Sequence, residues 1–254
     1  MRLFHWRGGA SVCALAAGLS AALPGVAFAQ ASNGDERDKL LTLVGIPSAT
    51  VAPHGSAYIS LSGANRQSAT NDDPDGAMSF GLGFGSAEES LGVQLSASLT
   101  SLTDSFGDSG YFAVKASRRL HASPQALTYV GLSVDRIAGW GDVAGDDVRA
   151  DLTLSTFTRV GDSYPLMISL GVGTNRRDNE TEAGVFGGVG MGFSPYFGAS
   201  LAWTGETVTL GSSYRVDGLD NVYFSLALED AFDQEDEQRV SFTASFVKFD
   251  LFGG

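Results

Sequence analysis

The sequence predicts an all-β chain, folded as a transmembrane, up-and-down antiparallel β-barrel of about twelve strands. Three observations predict it. Large apolar residues alternate with small or polar ones in repeated runs of about nine or ten residues, the length that crosses a bilayer's hydrocarbon when a strand is tilted. The connections between runs alternate between short turns and longer, acidic loops. The face opposite each apolar row carries glycine, serine, alanine and threonine, where a soluble sandwich would send lysine and glutamate to water.

The pattern is clearest between residues 77 and 102. Met78, Phe80, Leu82 and Phe84 alternate with Ser79, Gly81, Gly83 and Gly85; then Leu91, Val93, Leu95, Ala97 and Leu99 alternate with Gly92, Gln94, Ser96, Ser98 and Thr100. Successive side chains of a strand point to opposite faces, so the two runs read as a hairpin with one apolar and one small or polar face.

Ahead of the strands lie two segments of different character. Arg2 and Arg7, an apolar run over residues 10–23 and Ala27-Phe28-Ala29 make residues 1–29 a cleavable secretory signal peptide. The run is too short, and too broken by Gly18 and Pro24, for a membrane helix. Cys13 is the only cysteine, so the mature chain is expected to have neither disulfide nor lipid anchor. Residues 30–53 form an N-terminal segment, periplasmic or folded back into the lumen. Asn33 is placed to cap a short helix carrying Leu40, Leu41 and Val44 on one side and stopped by Gly45 and Pro47.

Residues 54–254 make up the barrel. The first strand spans 55–63, the next two form the hairpin above, and the fourth to ninth span 111–120, 127–137, 148–160, 165–174, 183–193 and 196–204. Each alternates, as in Val130, Leu132 and Val134 against Gly131, Ser133 and Asp135. The tenth, 207–216, is the weakest, with only Val208, Leu210 and Tyr214; without it the count falls to ten. The eleventh spans 221–229 and the twelfth 239–249. Acidic connections at 64–76, 138–147 and 230–238 alternate with short ones such as 161–163 and 194–195; the tight turn at 204–206 departs from the pattern. Phe112 and Trp203 fall near one set of strand ends and Phe84, Phe193, Phe197 and Tyr214 near the other, as in interfacial girdles.

From residue 55 to the end the chain resembles Gram-negative outer-membrane β-barrel proteins, which have an even strand number, short periplasmic turns and longer outer loops. The resemblance implies both termini in the periplasm, outer-membrane lipids and lipopolysaccharide as surroundings, and a C-terminal aromatic that the barrel assembly machinery reads. Phe246, Phe249 and Phe252 are candidates for that aromatic, although Gly253 and Gly254 follow them. The function implied is a small porin-like channel for passive passage of small solutes, with a non-conducting surface barrel of filled lumen as the alternative.

Inward parity gathers Lys115, Arg119, Asp135, Arg149, Asp151, Arg159, Arg215, Glu229 and Arg239 in the lumen. A basic excess there would favour anions, whereas ion pairs would brace a narrow barrel, and bracing is the preferred reading. Gly171 and Gly173 are expected beside Gly188, Gly190 and Gly192 as a wall without side chains, against which residues 40–46 would fit as a plug; relief of crowding is the plainer reason for these glycines. His54-Gly55-Ser56 places imidazole and hydroxyl on one strand face, as in outer-membrane lipid hydrolases, but nothing is positioned to orient the histidine, so no catalytic residue is assigned. The acidic loops match no dedicated calcium loop, and no metal or cofactor is expected. A net charge of −13 argues against nucleic acid as partner.

Overall fold

A computed structural model describes residues 39–65, 74–100, 102, 106–161, 163–176, 182–219, 221–235 and 238–252. The expected signal peptide over residues 1–29, the expected helix cap at Asn33, and Gly253 and Gly254 lie outside the described residues.

Twelve strands form one closed antiparallel barrel in which each pairs with its neighbours in sequence and the last closes on the first. They are β1 (Ala57–Ala64), β2 (Asp75–Gly85), β3 (Gly92–Leu99), β4 (Gly110–Ala122), β5 (Leu127–Trp140), β6 (Arg149–Val160), β7 (Tyr164–Gly173), β8 (Gly184–Ser194), β9 (Phe197–Trp203), β10 (Val208–Arg215), β11 (Val222–Glu229) and β12 (Arg239–Lys248). The weak tenth strand is present, because its backbone pairs on both sides although its outer face is sparse. The tight turn after β9 is also present, closed by the Thr204 N–H donating to the Thr207 carbonyl at 2.9 Å.

Register couples the two faces. Ile59 pairs with Phe80 on one side and Phe246 on the other, and Leu61 with Met78 and Ala244. A slip of one residue would invert every side chain, so such like-with-like pairing fixes which face looks out. Ile59, Leu61, Leu95, Leu132, Leu152, Leu170, Leu201 and Phe242 all remain exposed on the outside. A contiguous apolar surface of this extent is not tolerated by a monomer in water, and a belt of it around a closed barrel suits lipid. Aromatic rings follow one rim of the belt, from Tyr164 to Phe193, Phe197 and Tyr214 at centroid spacings of 6.5, 5.9 and 5.2 Å. Phe112 and Trp140 meet at 5.5 Å near the other rim.

The strand β5 runs further than the alternation predicted, to Trp140. Register shifts against β4 flank Phe112, and Arg136 and Ala138 adopt left-handed φ values of 58° and 48°. Such bulges break the two-residue period, which is why the pattern stopped short. At the other end of the chain β12 stops at Lys248; the backbone turns at Asp250 (φ 58°), and Phe252 stacks on Phe84 at 5.6 Å.

Candidate functional site: an occupied lumen

Residues 39–53 lie inside the barrel and contain no helix, so the helix expected around Leu40 and Val44 is corrected. A helix would satisfy its own backbone; this segment instead uses the wall. At the end of the barrel with the short turns, the Lys39 ammonium sits 3.6 Å over the Tyr164 ring and the Leu40 N–H donates to the Ser194 carbonyl at 2.8 Å. The chain then climbs β8 to the level of Phe186 and Ala202, where Ile46 is buried. It crosses to β6, where the Ala49 N–H donates to Ser155 Oγ at 2.8 Å, and descends to β3, where the Ala52 N–H donates to Gln94 Oε1 at 2.9 Å. On the way the Val44 N–H donates to Ser200 Oγ at 3.1 Å, and the Thr42 and Ser213 hydroxyls bond each other. Serines predicted to face a lumen thus serve as hydrogen-bond partners for an otherwise unpaired strand, as buried backbone groups require.

Glycines make the fit possible. A Cβ at Gly190 would fall on the Thr42 carbonyl, one at Gly188 would lie 2.8 Å from Ile46 Cδ1, and one at Gly211 would lie 2.5 Å from Val44 Cβ. At the apex Gly45 turns through φ +92° hard against Thr209. The expectation for Gly171 and Gly173 is corrected. Gly171 pairs with Phe186 and Gly173 with Gly184, while Gly188 and Gly190 lie opposite Ser169 and Met167. Gly171 yields its space to the Phe186 ring and Gly173 to the Asp151 carboxylate. The glycines that meet the segment are instead Gly188, Gly190 and Gly192 of β8, Gly198 of β9 and Gly211 of β10, interrupted by the inward side chains of Ser200 and Ala202.

Thr42 and Leu43 are both 0% exposed. Consecutive side chains of an extended chain point in opposite directions, so among the described residues both sides of the segment are sealed from water at this level. Leu43 and Ile46 join Leu41, Met167, Phe186 and Ala202 in one apolar cluster, against which Phe157 packs.

Above the cluster, toward the long-loop end, the inward charges are paired. Asp135 Oδ2 accepts from Arg149 at 2.8 Å, Asp151 holds Arg176 at 2.6 Å and lies 4.0 Å from Arg149, and Glu229 holds Arg239 at 2.6 Å. Arg176 also covers the Phe186 ring at 4.1 Å, tying the ion pairs to the apolar cluster below. Burial, with Arg149 acting in the same direction, pulls the Arg176 guanidinium below its ordinary pKa, and Asp151 opposes the shift. Arg119 reaches Glu88 at 3.4 Å at the short-turn mouth; Arg159 is exposed there, and Arg215 is half-buried. Lys115 has the inward parity of β4 and is half-buried, opposite Ser133 of β5, whose other neighbour is Asp151. Arg176 had no signature in the sequence, because it follows β7 in a loop where parity assigns no side.

His54 and Ser56 do not share a strand face; they occupy a turn around Gly55, whose φ is +71°. His54 Nδ1 accepts from the Gly85 N–H at 3.2 Å, and Ser56 Oγ donates to the Pro53 carbonyl at 2.6 Å. His54 therefore fastens the end of the lumenal segment to the end of β2, and Ser56 closes the turn that leads into β1.

A closed up-and-down antiparallel barrel with an apolar belt and a polar, ion-paired interior defines the class of outer-membrane-type β-barrels. Solved structures of that class share the fold. The KdgM porin, seen also in complex with disordered oligogalacturonate, is 13% identical, with 75% of this chain and 98% of that one aligned at a TM-score of 0.50. An outer membrane channel from Pseudomonas putida is 9% identical, with 81% of this chain and 100% of that one aligned at a TM-score of 0.51. At these identities the likeness is one of fold. No protein-family model and no curated protein matches the sequence.

Proposed function

We propose that this chain is an outer-membrane channel that closes itself, with residues 39–53 as an internal plug whose displacement admits small solutes. The burial of Thr42 and Leu43 on opposite sides of one extended segment carries the reading. The segment belongs to no strand ladder: its backbone is held by single contacts at Ser194, Ser200, Ser155 and Gln94, beside the Thr42–Ser213 bond and the buried side chains of Leu41, Leu43 and Ile46. The competing reading, a permanently filled surface barrel, draws on the ion pairs above the plug. The apolar belt is read as facing outer-membrane lipid and lipopolysaccharide, and the C-terminal aromatics as the signal for the assembly machinery.

The mature chain, residues 30–254, is expected to require detergent and to migrate faster on a gel unheated than heated. In proteoliposomes it is expected to retain small sugars under resting conditions and to release them once residues 33–47 are deleted. A mature chain that is freely soluble without detergent contradicts the membrane reading. A deletion variant that still retains the sugars supports the filled scaffold instead.

A further inference from the structure

Among the described residues, the outer side of the barrel carries two cations that no carboxylate engages, Arg118 of β4 and Lys248 of β12. Both are exposed at the short-turn rim. Arg118 pairs with Val130 and Lys248 with Ala57, in line with the outward Leu132 and Ile59, so parity sends both side chains out. Their surroundings are apolar: Leu91, which continues the β3 register opposite Arg118, and Phe246, two residues before Lys248, are exposed on the same face. The nearby carboxylates serve otherwise. Glu88 is taken by Arg119 and Tyr129, while Glu89 and Asp250 are exposed beyond the strand ends and pair with neither cation. The long-loop rim shows no counterpart among the described residues. There Arg136 pairs with Asp146 at 3.0 Å, and Arg149, Arg176 and Arg239 are held by Asp135, Asp151 and Glu229.

The register gives the depth of these cations. Lys248 pairs with Ala57 and Ala57 with Leu82; Phe84 follows Leu82 on the same face and stacks on Phe252 at 5.6 Å. On the other side Arg118 neighbours Val93, the partner of Phe84, by way of the Gly92–Ser117 pair. The aromatic stack thus stands two strands from each cation, at the same rim. Rings of this kind mark the depth of the lipid headgroups. At that depth the aliphatic stem of arginine or lysine lies along the acyl chains and its charge reaches the phosphate layer. An arginine fork matches two phosphate oxygens, and an ammonium serves as a point charge. Four strand spacings of about 4.8 Å separate Arg118 from Lys248, too far for one headgroup, so each takes its own.

We propose that Arg118 and Lys248 are two binding positions for the phosphates of phospholipids in the leaflet at the short-turn rim. The proposal rests on the membrane reading of the apolar belt and is independent of whether the plug closes the lumen. Native mass spectrometry of the detergent-purified mature chain tests it, with phosphatidylglycerol in one sample and digalactosyl diacylglycerol, which has the same tails and no phosphate, in another. The native chain should retain phosphatidylglycerol in preference to the galactolipid. Arg118→Gln and Lys248→Gln should each lower that retention on the order of fivefold, and the double variant should hold the two lipids alike. Equal retention of both lipids by the native chain, or undiminished phosphatidylglycerol on the double variant, overturns the two positions. The comparison of lipids on the native chain decides the matter even if the double variant does not fold. A mature chain soluble without detergent refutes the membrane reading itself; a chain that needs detergent but does not distinguish the lipids refutes only the phosphate positions.

Discussion

Gly190→Val will open the lumen while leaving the barrel folded. A side chain at this position must occupy the place of the Thr42 carbonyl, a backbone atom that cannot rotate aside. The strand itself loses nothing, because Gly190 pairs with Met167 and Ser200 through its backbone and valine is favoured in strands. The segment's grip is then broken at its centre: Thr42 leaves Ser213, and Leu41 and Leu43 leave the Met167 and Phe186 cluster. Single-channel conductance should rise from a silent or nearly silent native level to steady unitary currents, as expected when a barrel of this strand number loses the material in its lumen. The difference in migration between heated and unheated samples should persist. Gly187→Ala is the control. Its Cβ would meet the end of the Leu170 side chain, which can turn aside, and the Ser169 carbonyl at an ordinary 3.4 Å, with no atom of the lumenal segment near, and conductance should stay at the native level.

Asp151→Ala should be the most destabilising single change among the inward charges. Asp151 is 2% exposed and faces both Arg176 and Arg149; its removal leaves two enclosed guanidiniums sharing the remaining carboxylate, Asp135. Breaking a buried pair by deleting one partner costs about 3–5 kcal/mol. The midpoint of urea unfolding in lipid vesicles reads it directly. Arg159→Gln, at the exposed short-turn mouth, should change the unfolding free energy by less than about 0.5 kcal/mol and leave the same midpoint nearly unmoved. Equal effects at the two positions would show that the lumenal pairs do not brace the barrel.

These two predictions also mark what the sequence could and could not reveal. The strands were legible because lipid on one side and a narrow lumen on the other impose a two-residue period on every one of them, even on β10, where only Val208, Leu210 and Tyr214 carry it. The period says that Asp151 points inward, but not that its partner is Arg176, which belongs to a loop after β7. Cross-strand partners depend on register, and a displacement of a few residues between β7 and β8 is what sends Gly171 to Phe186 instead of to the glycines of β8. The lumenal segment was least legible. Leu40, Leu41 and Val44 suit a helix by spacing, and only the three-dimensional wall of Gly190, Gly198, Ser200 and Ser213 makes an extended path preferable, by accepting its backbone at close range. The bulges at Arg136 and Ala138 hid the end of β5 for a related reason, since a local backbone choice overrode the period.

Planar-bilayer recording of the mature chain beside the variant lacking residues 33–47 bears most directly on closure. The account predicts a native chain that is silent or nearly so and a variant with steady, large unitary currents. Identical traces from the two would mean that the inserted segment does not obstruct the passage, and the self-closing channel would have to be abandoned.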